Sequence, residues 1–305
     1  MKKIILFILI LIQSQSSLSI ESKIIYKIQN EIITSIDIKE EFKYLLALNT
    51  ELSNLDNEKI FNISKQSIIK EKIKKIEILK YFKELRIDNR YTEILIKNIY
   101  TRLKLKTLPE FIKHLEKYDL DIKKIEEKIT IDALWNELII QKYSSKVEIN
   151  EKKIKENIKK NKKNNSIDYS LSEIIYEIKN KEEINTKLIE IKKSIDKIGF
   201  ENTASIYSFS ESSKIGGNLG WINEKSLSNN IKKNLINLEI GDISQPIILS
   251  NGIMLLKINE VKKVKNLSSQ EDELKIALAY EKSKQLNQYS KIHYNKIKKS
   301  LNFNE

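Results

Sequence analysis

Glycine is nearly absent from this chain, and where it occurs it is bunched. Of 6 glycines in 305 residues, three fall in Gly216-Gly217-Asn218-Leu219-Gly220-Trp221. Glycine reaches positive φ at little cost and is expensive elsewhere. A glycine-poor chain that groups three of them is therefore expected to place a tight turn or a strand bulge there. That backbone would hold Leu219 and Trp221 at fixed positions. A plain loop is the simpler alternative, because glycine dipeptides mark turns in general.

Composition narrows the chemistry. The chain has 0 cysteines, which excludes disulfides, thiol nucleophiles and Cys-ligated metals. Its 2 histidines, His114 and His293, lie far apart on polar-rich helical patterns. Neither a metal site nor a Ser-His-Asp nucleophile is expected, and no cofactor. The net charge of +13 comes from 55 Lys+Arg against 42 Asp+Glu. The basic excess alternates with Glu along the chain and forms no block. That pattern predicts a solvated surface and no nucleic-acid partner.

Met1-Lys2-Lys3 precedes an apolar run from Ile4 to Ile12. The run is shorter than the roughly 20 residues that span a bilayer. It fits the apolar region of a secretory signal, with Ser17 and Ser19 placed for cleavage after Ser19. An uncleaved inner-membrane anchor is the alternative. After cleavage no stable membrane span is expected, and the chain is expected in the periplasm.

Residues 23–34 (KIIYKIQNEIIT) read as two short strands around a Gln29-Asn30 turn, with Thr34 or Ser35 capping a helix. Between Ile60 and Ser144 the period is helical, predicting four or five helices. Ile69, Ile73, Ile76, Leu79, Phe82 and Leu85 form one apolar stripe, and Phe111 and Leu115 follow Pro109 at a helix start. Lys152 to Asn165 is the most polar stretch and predicts a helix dissolving into a linker.

From Ile167 to Val261 the pattern changes. A strand at Tyr169 to Ile178 is followed by an amphipathic helix ending at Gly199, a short helix to Tyr207, and the glycine cluster. A short helix through Ile231, Leu235 and Leu238 comes next. Two apolar strands then flank Asn251-Gly252, a strong hairpin signal. This order predicts a compact α+β unit. Ser268-x-x-Glu271 reads as a capping box opening a long C-terminal helix. His293 is expected to make a helix-surface contact there.

The α+β unit resembles the parvulin-type (PpiC/rotamase) peptidyl-prolyl cis-trans isomerases. Four ordered matches carry the resemblance: Ser172-Glu173-Ile174-Ile175, Tyr207 to Ser213 leading into GGNLGW, Gly241 to Ile247, and Gly252 to Ile258. With the apparent signal, KIQNEIIT, Trp135-x-x-Leu138-Ile139 and the C-terminal helix, the whole is similar to SurA-like periplasmic chaperones. The resemblance implies an α+β architecture. A mainly helical N-terminal domain would be completed by a C-terminal helix, with one parvulin-like domain inserted. The implied division is 1–19 signal peptide, 20–165 helical domain, 166–262 isomerase domain and 263–305 C-terminal helix.

The resemblance also implies a proline pocket of Leu219, Leu227, Ile231 and Met254. Active parvulins carry two histidines, and here Glu173 and Met254 stand at those positions. The central Cys or Asp falls at Ser210, and a further hydroxyl position at Asn251. Ser210, Glu173 and Asn251 are thus the candidate catalytic groups. The sequence leaves open whether Glu173 is buried with a raised pKa or faces solvent. The implied function is an exported folding factor that binds unfolded or extended polypeptides, outer-membrane proteins among them. Two alternatives stand beside it: a holdase chaperone without isomerase activity, and a basic surface-binding module.

Overall fold

A computed structural model describes residues 22–160, 165–178, 182–249, 252–265, 269–301 and 303–304. The apparent signal segment, Asn251 and Ser268 lie outside the described residues.

The chain opens on the expected hairpin, β1 (Ile24–Ile28) and β2 (Glu31–Thr34), turning at Gln29 with φ +51°. Thr34 then caps α1 (Ser35–Leu48). Its hydroxyl accepts the Asp37 N–H at 3.2 Å, and the Asp37 carboxylate accepts the Thr34 N–H at 2.7 Å. These bonds satisfy donors that a helix start leaves open. Next come α2 (Asn57–Ile78), α3 (Asn89–Arg102), α4 (Leu108–Glu116), α5 (Ile122–Tyr143) and α6 (Glu151–Lys160). The stripe from Ile69 to Leu85 does not lie on one helix. α2 ends at Ile78, and Phe82 and Leu85 reach the core from the loop before Asp88, which caps α3.

The second unit contains β3 (Asn165–Tyr176), α7 (Glu183–Ile198), α8 (Phe200–Tyr207), β4 (Asn218–Asn223), α9 (Asn229–Leu235), β5 (Ile247–Leu249) and β6 (Gly252–Lys265). Leu238 falls beyond α9. The strands form an antiparallel sheet in the order β4-β3-β6-β5. β4 is the strand the sequence reading did not resolve. Gly220 disguises it, and its register against β3 shifts between Leu171 and Ser172 as a bulge.

The sheet is covered on both faces. Ile174, Tyr176, Ile253 and Leu255 pack on Ile191 of α7 and Phe200 and Ala204 of α8. The opposite face presents Tyr169, Leu171, Met254, Leu256 and Ile258 to Leu227 and, on α9, Ile231 and Leu235.

The long helix α10 (Gln270–Ser300) leads to β7 (Phe303–Asn304), which pairs with β1. The N-cap of α10 is Ser269, one residue later than expected, with Asp272 completing the box. The second half of α10 belongs to the helical body. Leu286 and Tyr289 close a cluster of Ile78, Leu134, Trp135, Leu138 and Ile139, and Trp135 donates to Ser290 Oγ at 2.8 Å. Each apolar side chain buried there is worth roughly 1.5–3 kcal/mol, more than the Trp135–Ser290 hydrogen bond adds. The fold is thus α+β, a mainly helical body completed by a C-terminal helix around one small sheet unit.

His293 is no surface contact. It is 5% exposed, between Glu77 (3.1 Å from Nε2) and Tyr143 (3.0 Å from Nδ1). Burial lowers its pKa, outweighing the pull of Glu77. His114 sits against the Ala47 carbonyl oxygen at 2.7 Å. Among the described residues no helix is long and apolar enough to cross a membrane.

Candidate functional site

The site is built where β3, the loop after α8, β4 and α9 meet. Alternation along β3 puts Glu173 on the same face as Leu171, the α9 face. Glu173 lies opposite Leu256, and Met254 opposite Ile175. Leu227, Ile231 and Met254 are buried in one cluster with Leu256, and Leu219 packs against it half-buried. All four expected pocket residues are therefore together. The glycine turn delivers Leu219, as Gly216 and Gly217 take φ +64° and +80° ahead of β4.

The polar end centres on Glu173, only 8% exposed. Its Oε1 accepts from Ser210 Oγ at 2.5 Å and from Ser212 Oγ at 2.9 Å, and the two hydroxyls lie 3.0 Å apart. Burial pushes the Glu173 pKa up, and the two serine hydrogen bonds only partly offset it. The alternative left open by the sequence thus resolves to a buried carboxyl. Ser212 was missed, although its spacing two residues after Ser210, at the start of a tight 3-10 turn, is the signal that could have found it. Asn251, the remaining candidate, lies outside the described residues.

The loop holding these serines also joins the sheet unit to the helical body. Glu211 Oε1 pairs with Lys70 at 2.7 Å and Lys74 at 2.9 Å, both on α2. Lys214 pairs with Asp132 of α5 at 2.9 Å, and Lys74 reaches the other Asp132 oxygen at 2.8 Å. Lys74 is 2% exposed. The expectation of a wholly solvated charge pattern is therefore corrected, because part of the charge is buried as a rivet between the two units. Burial opposes the Glu211 and Asp132 carboxylates, yet the surrounding lysines hold both pKa values below the ordinary range.

The PPIC-type PPIASE domain model (Rotamase) matches residues 169–260, the span of this sheet and its site. The chain carries a PPIC-type PPIase domain. A curated relative, the periplasmic chaperone PpiD of Buchnera aphidicola subsp. Schizaphis graminum, is 37% identical over 121 residues. That stretch is 39% of this chain and 18% of the relative's length, so the chain matches under a fifth of that protein. A SurA-like chaperone structure from Campylobacter jejuni is 16% identical with a TM-score of 0.37, covering 92% of this chain and 98% of that one. The peptidylprolyl isomerase PrsA of Bacillus anthracis is 18% identical with a TM-score of 0.31, covering 76% and 94%.

The PPIase domain's buried acid has a testable signature. A carboxyl whose pKa is raised by folding keeps its proton while the unfolded chain has already lost one. Stability therefore falls as pH rises from the ordinary carboxylate value to the raised one. Glu173→Gln keeps an oxygen to accept both serine hydroxyls and removes this titration. Its expected effect is a gain on the order of 1 kcal/mol at pH 8 that vanishes near pH 4. Thermal melts at the two pH values measure it, and an equal shift at both would contradict the assignment.

Proposed function

We propose that this chain is an exported folding factor that binds extended polypeptides, with its PPIase domain acting on X-Pro segments. The proposed division is a signal peptide over 1–19, a helical chaperone domain over 20–165, the PPIase domain over 166–262 and the completing helix over 263–305. The observation that carries the reading is the gathering of Leu219, Leu227, Ile231 and Met254 beside the hydrogen-bonded Glu173, Ser210 and Ser212.

Rotation about a peptide bond meets a barrier of roughly 18–20 kcal/mol. An apolar seat for the proline ring, with the adjoining carbonyl desolvated, binds the twisted amide better than either planar form, and that difference lowers the barrier. No covalent step is needed. In this reading the four apolar residues seat the ring. Ser210, Ser212 and the buried Glu173, whose carboxyl is harder to ionise there, line the polar side. Asn251 is proposed as a further polar partner.

A holdase that binds without turnover is the second reading, favoured by Glu173 and Met254 at the positions where active parvulins carry histidine. The helical body offers it a place for extended chain. A cleft of about 930 Å³ is lined by Arg86, Ile87, Tyr91, Asn136 and Ile140, with Tyr91 and Ile140 exposed. The proposed clients are unfolded outer-membrane proteins in the periplasm.

A proline-tetrapeptide isomerisation assay on the full chain separates the readings. A rate above background that falls about tenfold in Leu219→Ala supports the isomerase, since truncating one apolar contact is worth on the order of 1–2 kcal/mol. No rate, with aggregation of an unfolded outer-membrane protein still suppressed, leaves the holdase alone. Failure of both measurements would sink the proposal.

A further inference from the structure

α10 is divided in its loyalties. Its second half is core, with Leu286 and His293 buried in the helical body. Its first half is packed less deeply, with Leu274, Ala277, Leu278 and Tyr280 only half-buried and Ile276 exposed. That half lies across the PPIase domain. Tyr280 packs on the cluster that contains Leu227, Ile231, Met254 and Leu256. Burial, with the Glu281 and Glu173 carboxylates adding to it, pushes its hydroxyl pKa up to about 12. Glu273, nearly two turns earlier, pairs with Lys225 at 2.5 Å, both side chains 14% exposed.

From these contacts we infer that the first half of α10 is a latch that closes the candidate proline pocket with the chain's own Tyr280. The inference rests on the pocket reading above. Seated against the cluster that contains Leu227 and Ile231, the tyrosine ring takes apolar surface that a proline ring would need, so a peptide enters only when the latch lifts. The half-buried first half can lift while the second half stays in the core, because the two differ in how much apolar surface anchors them. The Lys225–Glu273 pair sets how often it does so. Its charges have little water around them and are not readily replaced by solvent.

The test compares the full chain with Tyr280→Ala, Lys225→Glu and the swapped pair Lys225→Glu with Glu273→Lys. One readout is amide exchange over 270–282 and 286–300 without ligand. The other is affinity for a fluorescent tetrapeptide with a central Phe-Pro bond. Tyr280→Ala and Lys225→Glu are each expected to raise exchange over 270–282 and leave 286–300 unchanged. They should also tighten peptide binding about tenfold, the gain expected when a mostly closed site becomes mostly open. The swapped pair is expected to return both readouts toward those of the unmodified chain. The inference is overturned if exchange over 270–282 does not change, or if the peptide binds every chain equally well. Faster exchange over 270–282 with no peptide bound by any chain would uphold the latch and overturn the pocket reading instead.

Discussion

Gly217→Val is expected to unfold the PPIase domain while α2 and α5 keep their protection from amide exchange. A Cβ at Gly217 would stand 2.2 Å from the Glu173 carbonyl oxygen and 3.1 Å from Ala204 Cβ. The first of these is backbone in the middle of β3 and cannot swing aside. The same glycine accepts the Glu173 N–H at 2.8 Å and donates to the Ser212 carbonyl at 2.8 Å, so moving it breaks the site's own scaffold. Its φ of +80° adds roughly 1–2 kcal/mol for any L-residue. Together these exceed about 4 kcal/mol, a large part of the stability of a small domain. Gly241→Ala is the control. It has φ +98° but nothing within 4 Å of an added Cβ, so only the conformational cost of about 1–2 kcal/mol is expected. Circular dichroism melts with exchange over β3 and β6 decide it, and a folded sheet in the valine variant would refute the reading of this turn.

The second large effect is at the rivet between the units. Three cations (Lys70, Lys74 and Lys214) share two anions, Asp132 and Glu211. Asp132→Ala leaves three cations on one carboxylate around a lysine that is 2% exposed. The expected loss is roughly 3 kcal/mol, the range for stranding a buried charge. Lys74→Met leaves two cations on two anions and a side chain of similar volume beside Trp135. Its expected change is within about 1 kcal/mol. Denaturant unfolding of both variants tests the count, and equal losses would refute it. Because both carboxylates are held below their ordinary range, their contribution is present at neutral pH and lost as pH falls through their folded values. Acid should therefore loosen the docking of the PPIase domain, and Asp132→Ala should flatten that response. Scattering from the full chain as pH is lowered measures it.

What the sequence made legible was local. The hairpin, the Thr34 cap, the Gly199 helix end and the helical stripes each depend on neighbours within a few residues. Leu219 and Met254 lie on strands whose facing follows from period-two alternation, while Leu227 and Ile231 reach the same apolar cluster from the turn before α9 and from α9 itself. β4 was not legible, because Gly220 and its half-exposed neighbours mask that alternation. The buried state of Glu173 depends on Ser210 and Ser212, brought to it by a loop some forty residues on. The rivet joins Lys74 to Glu211 across 137 positions, and no periodicity carries such a pairing. Tyr280 belongs to no motif, and only the fold shows which unit that stretch of helix touches.

The place of α10 and β7 in the helical body also sets a timetable for synthesis. Ile78, Trp135 and Leu138 wait for Leu286 and Tyr289, and β1 waits for Phe303. The PPIase sheet needs nothing beyond residue 265 to complete its strand pairing. The middle of the chain can therefore mature first, tethered to an N-terminal half that still shows its apolar side chains. A nascent chain stopped before residue 269 should present a formed sheet beside a loose helical body, and should itself be a client for chaperones until its last helix arrives.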